Sequence, residues 1–211
     1  MSRIVNMGEG LHHYLDLDKI TDDSIIVDGG SGKGEFITKF REYDTCKNCV
    51  VHMIECNRTN IAHIKNITTD AEVLHEGAMT GAPAESVSFT EFVGGKYHEW
   101  GTIIEVNSSD RRRKLSNNPR CSGILDYDVE AIDINNLLNV IQTDHIDYLK
   151  MDIEGEEGNI FDYMTPATAS KIYQISFEVH ANVDTTKMHN RIIDLGFTMV
   201  RQDPREWYVT R

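Results

Sequence analysis

Apolar positions along the chain alternate between two periods. "SIIVDG" (24–29) and "CVVHMIE" (49–55) are short β-branched runs ended by a turn or an acid, which predicts buried strands. Between them, "GEFITKFREY" sets Phe36, Ile37 and Phe40 on one face of a helix. "NRTNIAHIKNI" repeats that spacing with Ile61, Ile64 and Ile67. After residue 70 the character changes: "AEVLHEGAM", "ESVSFTEF" and "WGTIIEV" have strand content separated by Gly, Ala, Pro and Ser breaks. A polar loop then runs over 107–123.

Helix and strand periods return with "DINNLLNVI", a short helix capped by Asp133, and with the strand "IDYLKMDI". A helix over 157–164, the strand "KIYQISFEVH", the helix "TTKMHNRIIDLG" and a closing hairpin of "FTMV" and "EWYVT" follow. This is a βαβ pattern. It predicts an α/β fold with a mostly parallel, Rossmann-like sheet, helices on both faces and an antiparallel C-terminal hairpin.

At 211 residues the chain fits one domain, 1–211, with residues 1–23 as a lead-in and 94–122 as a variable insertion. Its apolar runs are too short to span a bilayer, and the N-terminus lacks the core of a signal peptide, so a cytoplasmic location is expected. The Asn-x-Ser/Thr triplets at Asn57, Asn66 and Asn107 are accordingly read as chance. A net charge of −13 argues against nucleic acid, because affinity for a phosphate backbone comes mainly from Lys and Arg. The basic run 111–114 reads as a solvated loop.

Four cysteines do not make a disulfide framework in such a chain. Cys46, Cys49, His52 and Cys56 suggest zinc, but a strand separates Cys49 from Cys56 by more than about 20 Å, too far for one ion. Cys46 and Cys49 remain as a couple before that strand.

The chemistry concentrates where the first strand meets its helix, in "VDGGSGKGEF". A P-loop is excluded, because Gly34 follows Gly32-Lys33 where a metal-binding hydroxyl is required. The dinucleotide fingerprint fails at Glu35, which replaces its third glycine. Glu55 lies 21 residues past Gly34 (55 − 34) and is placed to hold a ribose diol. Asp28, Glu55, Asp152, Glu154 and Glu178 all fall at predicted strand ends, where ligands of such sheets bind. That ring of acids would repel a pyrophosphate and favour the sulfonium and ammonium groups of S-adenosylmethionine. An NAD-dependent oxidoreductase and a non-catalytic binding protein of the same fold are the rival readings.

With these motifs the chain resembles the FkbM-type S-adenosylmethionine-dependent methyltransferases over most of 24–202. "IIVDGGSGKGEF", "HMIECNRTNIAHIKN" and "LHEGAMTG" are similar to successive family motifs. "EAIDINNLLNVIQTDHIDYLKMDIEGEEGNIF" is the most specific match, through "LKxDxEGxE". Ser31, Lys33 and an extra glycine depart from the family's opening loop, and 94–122 matches nothing recognisable there. The resemblance implies a class I methyltransferase fold and cofactor contacts at Asp28, Gly30, Ser31, Gly32, Glu55, Ala78 and Asp152. Backbone around Cys56, Asn57 and Met79 would contribute.

It also implies a reaction centre near Asp152, Glu154, Glu178 and His180, and a hydroxyl acceptor on a sugar, glycan or small natural product. Two mechanisms fit these residues. In the favoured one, His180 or Asp152 is the general base, and His180→Ala is expected to abolish turnover. In the other, Asp152, Glu178 and His180 share a divalent metal; no ligand motif of fixed spacing supports it, and it is not favoured. His12 and His13 precede the first core strand, a place from which they would cover the cofactor, but they are read as surface residues, and His63 on its helix as partly exposed.

Overall fold

The computed structural model describes residues 3–7, 13–43, 46, 48–93, 101–103 and 123–211. Most of the 94–122 insertion, the basic run 111–114 and His12 lie outside the described residues. A ribbon of β1 (Ile4–Asn6) and β2 (Tyr14–Asp16) leads through a single 3-10 turn into the core. There follow β3 (Ile25–Gly29), α1 (Glu35–Phe40), β4 (Val50–Glu55), α2 (Arg58–Ile64) and β5 (Glu72–Thr80). A wing of β6 (Ser86–Val93), β7 (Gly101–Thr102) and β8 (Gly123–Asp133) comes next.

The second half consists of α3 (Leu137–Val140), β9 (Tyr148–Met151), α4 (Glu157–Tyr163), α5 (Pro166–Ala169), β10 (Gln174–Glu178), α6 (Thr185–Asp194), β11 (Thr198–Gln202) and β12 (Glu206–Thr210).

Among the described residues ten strands join in the order β11-β12-β10-β9-β3-β4-β5-β8-β6-β7. The pairs from β10 through β9, β3, β4 and β5 to β8 are parallel, while the hairpin at one edge and the wing at the other are antiparallel. The expected mostly parallel sheet with a C-terminal hairpin is therefore present. Successive residues of β3 feed opposite cores. Val27 packs with the core of Ile160, Phe161, Phe177 and Met188, whereas Ile26 packs with that of Phe36, Phe40 and Tyr148. Burial on both faces explains why the central strands read as continuous apolar runs rather than alternating ones. Among the described residues no helix is long and apolar enough to cross a membrane.

Three features depart from the sequence reading. Residues 123–133, which the sequence reading left without a strand between the loop and the helix capped by Asp133, form the eleven-residue β8. Its period-2 signal (Tyr127, Val129 and Ala131 between acids) was available, but the strand lies in a half-exposed wing and carries no apolar run. The 1–23 lead-in contributes Met7, Leu15 and Leu17 to the core. Cys46 and Cys49 are joined in a disulfide, since the turn into β4 brings their Cα atoms to 5.4 Å, within bonding range.

Candidate active site

Strand order reverses at β3: the chain proceeds to β4 and β5 on one side, then returns to β9 and β10 on the other. Such a switch point opens a crevice at the carboxyl ends of the two central strands. The crevice here is a cleft of about 200 Å³, partly open to solvent.

Its floor is the β3–α1 loop. Gly30, Gly32 and Gly34 have φ of +68°, +56° and +85°, in the left-handed region that glycine enters without strain. A side chain at Gly30 would place its Cβ 1.8 Å from the Asp152 carbonyl oxygen. The backbone NH groups of Gly30 and Ser31 donate to the Ile54 carbonyl at 3.0 and 3.2 Å, tying the loop to β4.

Beneath the loop lies a buried ion pair that local spacing did not reveal. Lys150 Nζ is 3.0 Å from Asp28 Oδ1 and donates to the Gly30 carbonyl at 2.7 Å. Burial disfavours the ammonium form of Lys150, but the carboxylate of Asp28 outweighs this and raises its pKa. Asp28 is fully buried and does not line the cleft. Ser31 is buried as well, its hydroxyl donating to the Asp28 carbonyl at 2.7 Å. Both side chains, expected at the cofactor, lie beneath the loop and hold it from below instead of lining the cleft.

Glu55 ends β4 inside the cleft. Its Oε1 accepts from the NH groups of Cys56 (2.8 Å) and Asn57 (2.7 Å), and its Oε2 from that of Gly32 (2.8 Å). Burial nevertheless pushes its carboxyl up to about 7, against the lowering effect of these bonds. Asn57 caps α2 by accepting from Thr59 and Asn60. Ala78 and Met79 from β5 and Phe89 from β6 line the remaining wall. The wing adds a network unforeseen in the sequence: Tyr127 donates to Glu91 at 2.7 Å, and the Arg58 guanidinium lies 4.0 Å over the Tyr127 ring.

On the β9 side, Asp152 and Glu154 line the cleft, whereas Glu178 and His180 stand behind them. Glu154 itself has φ +57°, and Thr102 donates to its carbonyl at 3.1 Å. His180 is enclosed by carboxylates: Nδ1 lies 3.2 Å from Glu157, and Nε2 lies 3.5 Å from both Glu154 and Glu178. Burial lowers the pKa of the ring, but Glu154 and Glu157 outweigh it and bring the value to about 10. An imidazolium has no lone pair with which to take a proton. His180 is thus placed as a cation binding three acids together rather than as a free base.

Asp152 behaves oppositely. Burial would raise its pKa, but His13 and Lys150 hold it down at about 2, so it is ionised throughout the physiological range. Ligand atoms of Asp152, Glu178 and His180 lie within 4.8 Å of one another, a spacing that a divalent ion could use. Each already has an ionic partner, Asp152 in His13, Glu178 in Arg205 and His180 in Glu157, and we read the cluster as an ion-pair network. Those partners also neutralise part of the ring of acids inferred from sequence, leaving Glu55, Asp152 and Glu154 of that ring facing the cleft.

Comparison with known proteins agrees with this arrangement. A family model described as the methyltransferase FkbM domain matches residues 38–199. Among solved structures, the chain is similar to methyltransferase FkbM from Methylobacillus flagellatus at 16% identity and a TM-score of 0.56, covering 91% of this chain and 44% of that one. The chain thus spans less than half the length of that relative. It is also similar to precorrin-6y C5,15-methyltransferase from Geobacter metallireducens, with 12% identity, a TM-score of 0.47 and coverage of 92% and 83%. Aeropyrum pernix fibrillarin, solved with natively bound S-adenosyl-L-methionine, matches with 9% identity, a TM-score of 0.46 and coverage of 99% and 82%. No curated protein matches the chain in sequence.

Proposed function

The chain belongs to the FkbM methyltransferase family, and on that premise we propose that it moves the methyl group of S-adenosylmethionine to a hydroxyl of a sugar, glycan or other small natural product. The observation that carries the reading is the cleft itself. A glycine floor admits a ligand against bare backbone, Glu55 offers a carboxylate at the end of β4, and Asp152 and Glu154 supply negative charge at the end of β9. The donor set fits the cofactor: Glu55 for a ribose diol, Asp152 for the cationic methionine end, and Ala78 and Met79 beside the base.

When bound, the cofactor supplies an electrophilic methyl group on a sulfonium. The protein's part is to align the acceptor, exclude water and remove one proton. A hydroxyl receiving that methyl group would carry a strongly acidic proton. An ionised carboxylate suffices to receive it late in the displacement, and Asp152 is held in that state. Glu154 lies beside it to orient the hydroxyl. His180 holds Glu154, Glu157 and Glu178 in place without contacting the acceptor.

Calorimetry with S-adenosylhomocysteine and, separately, NAD tests the reading. Micromolar binding of the first, weakened by Glu55→Ala, is the expected result. Binding of NAD alone would overturn it in favour of an oxidoreductase, and binding of neither would favour a non-catalytic role. An acceptor screen over hydroxylated sugars, with methylated product detected by mass, tests the O-methylation itself.

A further inference from the structure

His13 was expected at the surface, but it is 4% exposed and lies against the active site. It immediately precedes β2, which is pinned across the sheet end: Tyr14 NH donates to Ser176 Oγ at 2.9 Å and Tyr14 OH to Asp203 at 2.6 Å. The Met7 NH donates to the His13 carbonyl at 2.8 Å, closing the ribbon around it. Its ring then bridges two acids from different strands. Nδ1 stands 2.8 Å from Glu206 Oε1 in β12, and Nε2 stands 3.9 Å from Asp152 Oδ2 after β9. Ser176 in β10 donates to the same Glu206 oxygen at 2.8 Å, so Glu206 is fixed in turn.

We propose that His13 is a positioning residue of the methyl-transfer site, holding the Asp152 carboxylate in place with Glu206 and Ser176 as its support. This rests on the methyltransferase reading. Nδ1 has its hydrogen-bond partner in Glu206, and Nε2, at ion-pair rather than hydrogen-bond distance, faces Asp152, which also lines the cleft. A histidine needed only for packing would not have to address Asp152. The charged groups facing His13 are Glu206, Asp152 and Lys150, and those facing Asp152 are His13, Lys150, His180 and Glu178. Removing His13 takes away the imidazole that faces a carboxylate whose burial favours its neutral form.

The experiment compares the affinities of S-adenosylmethionine and S-adenosylhomocysteine by calorimetry from pH 5 to 8. The two ligands differ in the charge on sulfur, so their ratio reads the ionisation of Asp152 without an acceptor. In the unaltered protein the ratio should stay flat. In His13→Gln it should fall about tenfold toward pH 5, a change of about 1.4 kcal/mol, with the affinity for S-adenosylhomocysteine retained. Glu206→Gln, which releases the other ring nitrogen, should reproduce the slope at lower amplitude and serves if His13→Gln does not fold. A flat ratio in both variants, with only a lowered melting temperature, would overturn the inference and reduce His13 to a structural residue. Failure of the unaltered protein to bind either ligand would overturn the methyltransferase reading and this inference together.

Discussion

Lys150 and Asp28 are register partners on the two central strands, and their side chains meet at 3.0 Å under the loop that Lys150 also holds through the Gly30 carbonyl. The pair is buried, at 4% exposure for Lys150 and 0% for Asp28. Each side chain therefore leaves an uncompensated charge if the other is removed. Lys150→Met should cost about 3–5 kcal/mol in urea unfolding, and Asp28→Leu in that background should restore part of it. Simple additivity in the double variant would contradict the coupling.

Glu55 makes a pH-dependent prediction. Its carboxyl titrates near 7 in the ligand-free protein, and a diol donates its hydrogen bonds best to the ionised form. Affinity for S-adenosylhomocysteine should therefore rise between pH 6 and 8. Glu55→Gln should lose about 1.5–3 kcal/mol of binding at pH 8, roughly ten- to hundredfold, and should flatten the profile. Calorimetry at three pH values checks both.

His180 governs stability in alkali. Its folded pKa of about 10 lies above the ordinary 6.5, so the stability it contributes is full below pH 6.5 and is lost as pH rises through 10. The urea midpoint should fall between pH 7 and 9.5 by more in the unaltered protein than in His180→Gln. Because His180 does not line the cleft, S-adenosylhomocysteine binding by a folded His180→Gln should stay within about threefold. Complete loss of binding would place His180 in the pocket after all.

The floor of the cleft separates strain from collision. Gly30→Ala and Gly32→Ala both force a side chain to positive φ, at a cost of about 1–3 kcal/mol each. Only at Gly30 does the new Cβ also meet backbone, the Asp152 carbonyl, whereas at Gly32 it meets the mobile end of Glu35 at 3.2 Å. Thermal melts should show the larger loss at Gly30, accompanied by loss of cofactor binding. Equal effects at the two positions would mean that the floor is not set by contact with β9.

What the sequence by itself determined is short-range: the strand–glycine–helix turn, the apolar faces of Phe36 to Phe40 and Ile61 to Ile64, and acids at the strand ends. Periodicity and glycine spacing act over a few residues, and they were enough to fix the α/β class and to put Gly30, Gly32, Glu55 and Asp152 at strand ends, while Ala78 came from the family resemblance; all five line one cleft. What only the tertiary structure decided is pairing across the sheet. Lys150 stands in a motif visible in sequence, yet its partner Asp28 is 122 residues away (150 − 28) and is met only because β9 lies beside β3. His13 precedes the first core strand in a stretch read as surface, and it is buried because β2 lies over β10, with Tyr14 NH on Ser176 and Asp16 NH on Gln174. His180 looked like a free base because Glu178 alone was near it in sequence. Enclosure by Glu154 and Glu157, delivered by the turn after β9, makes it a cation. Ionisation follows from the charges that folding assembles around a group, and single-residue chemistry does not contain them.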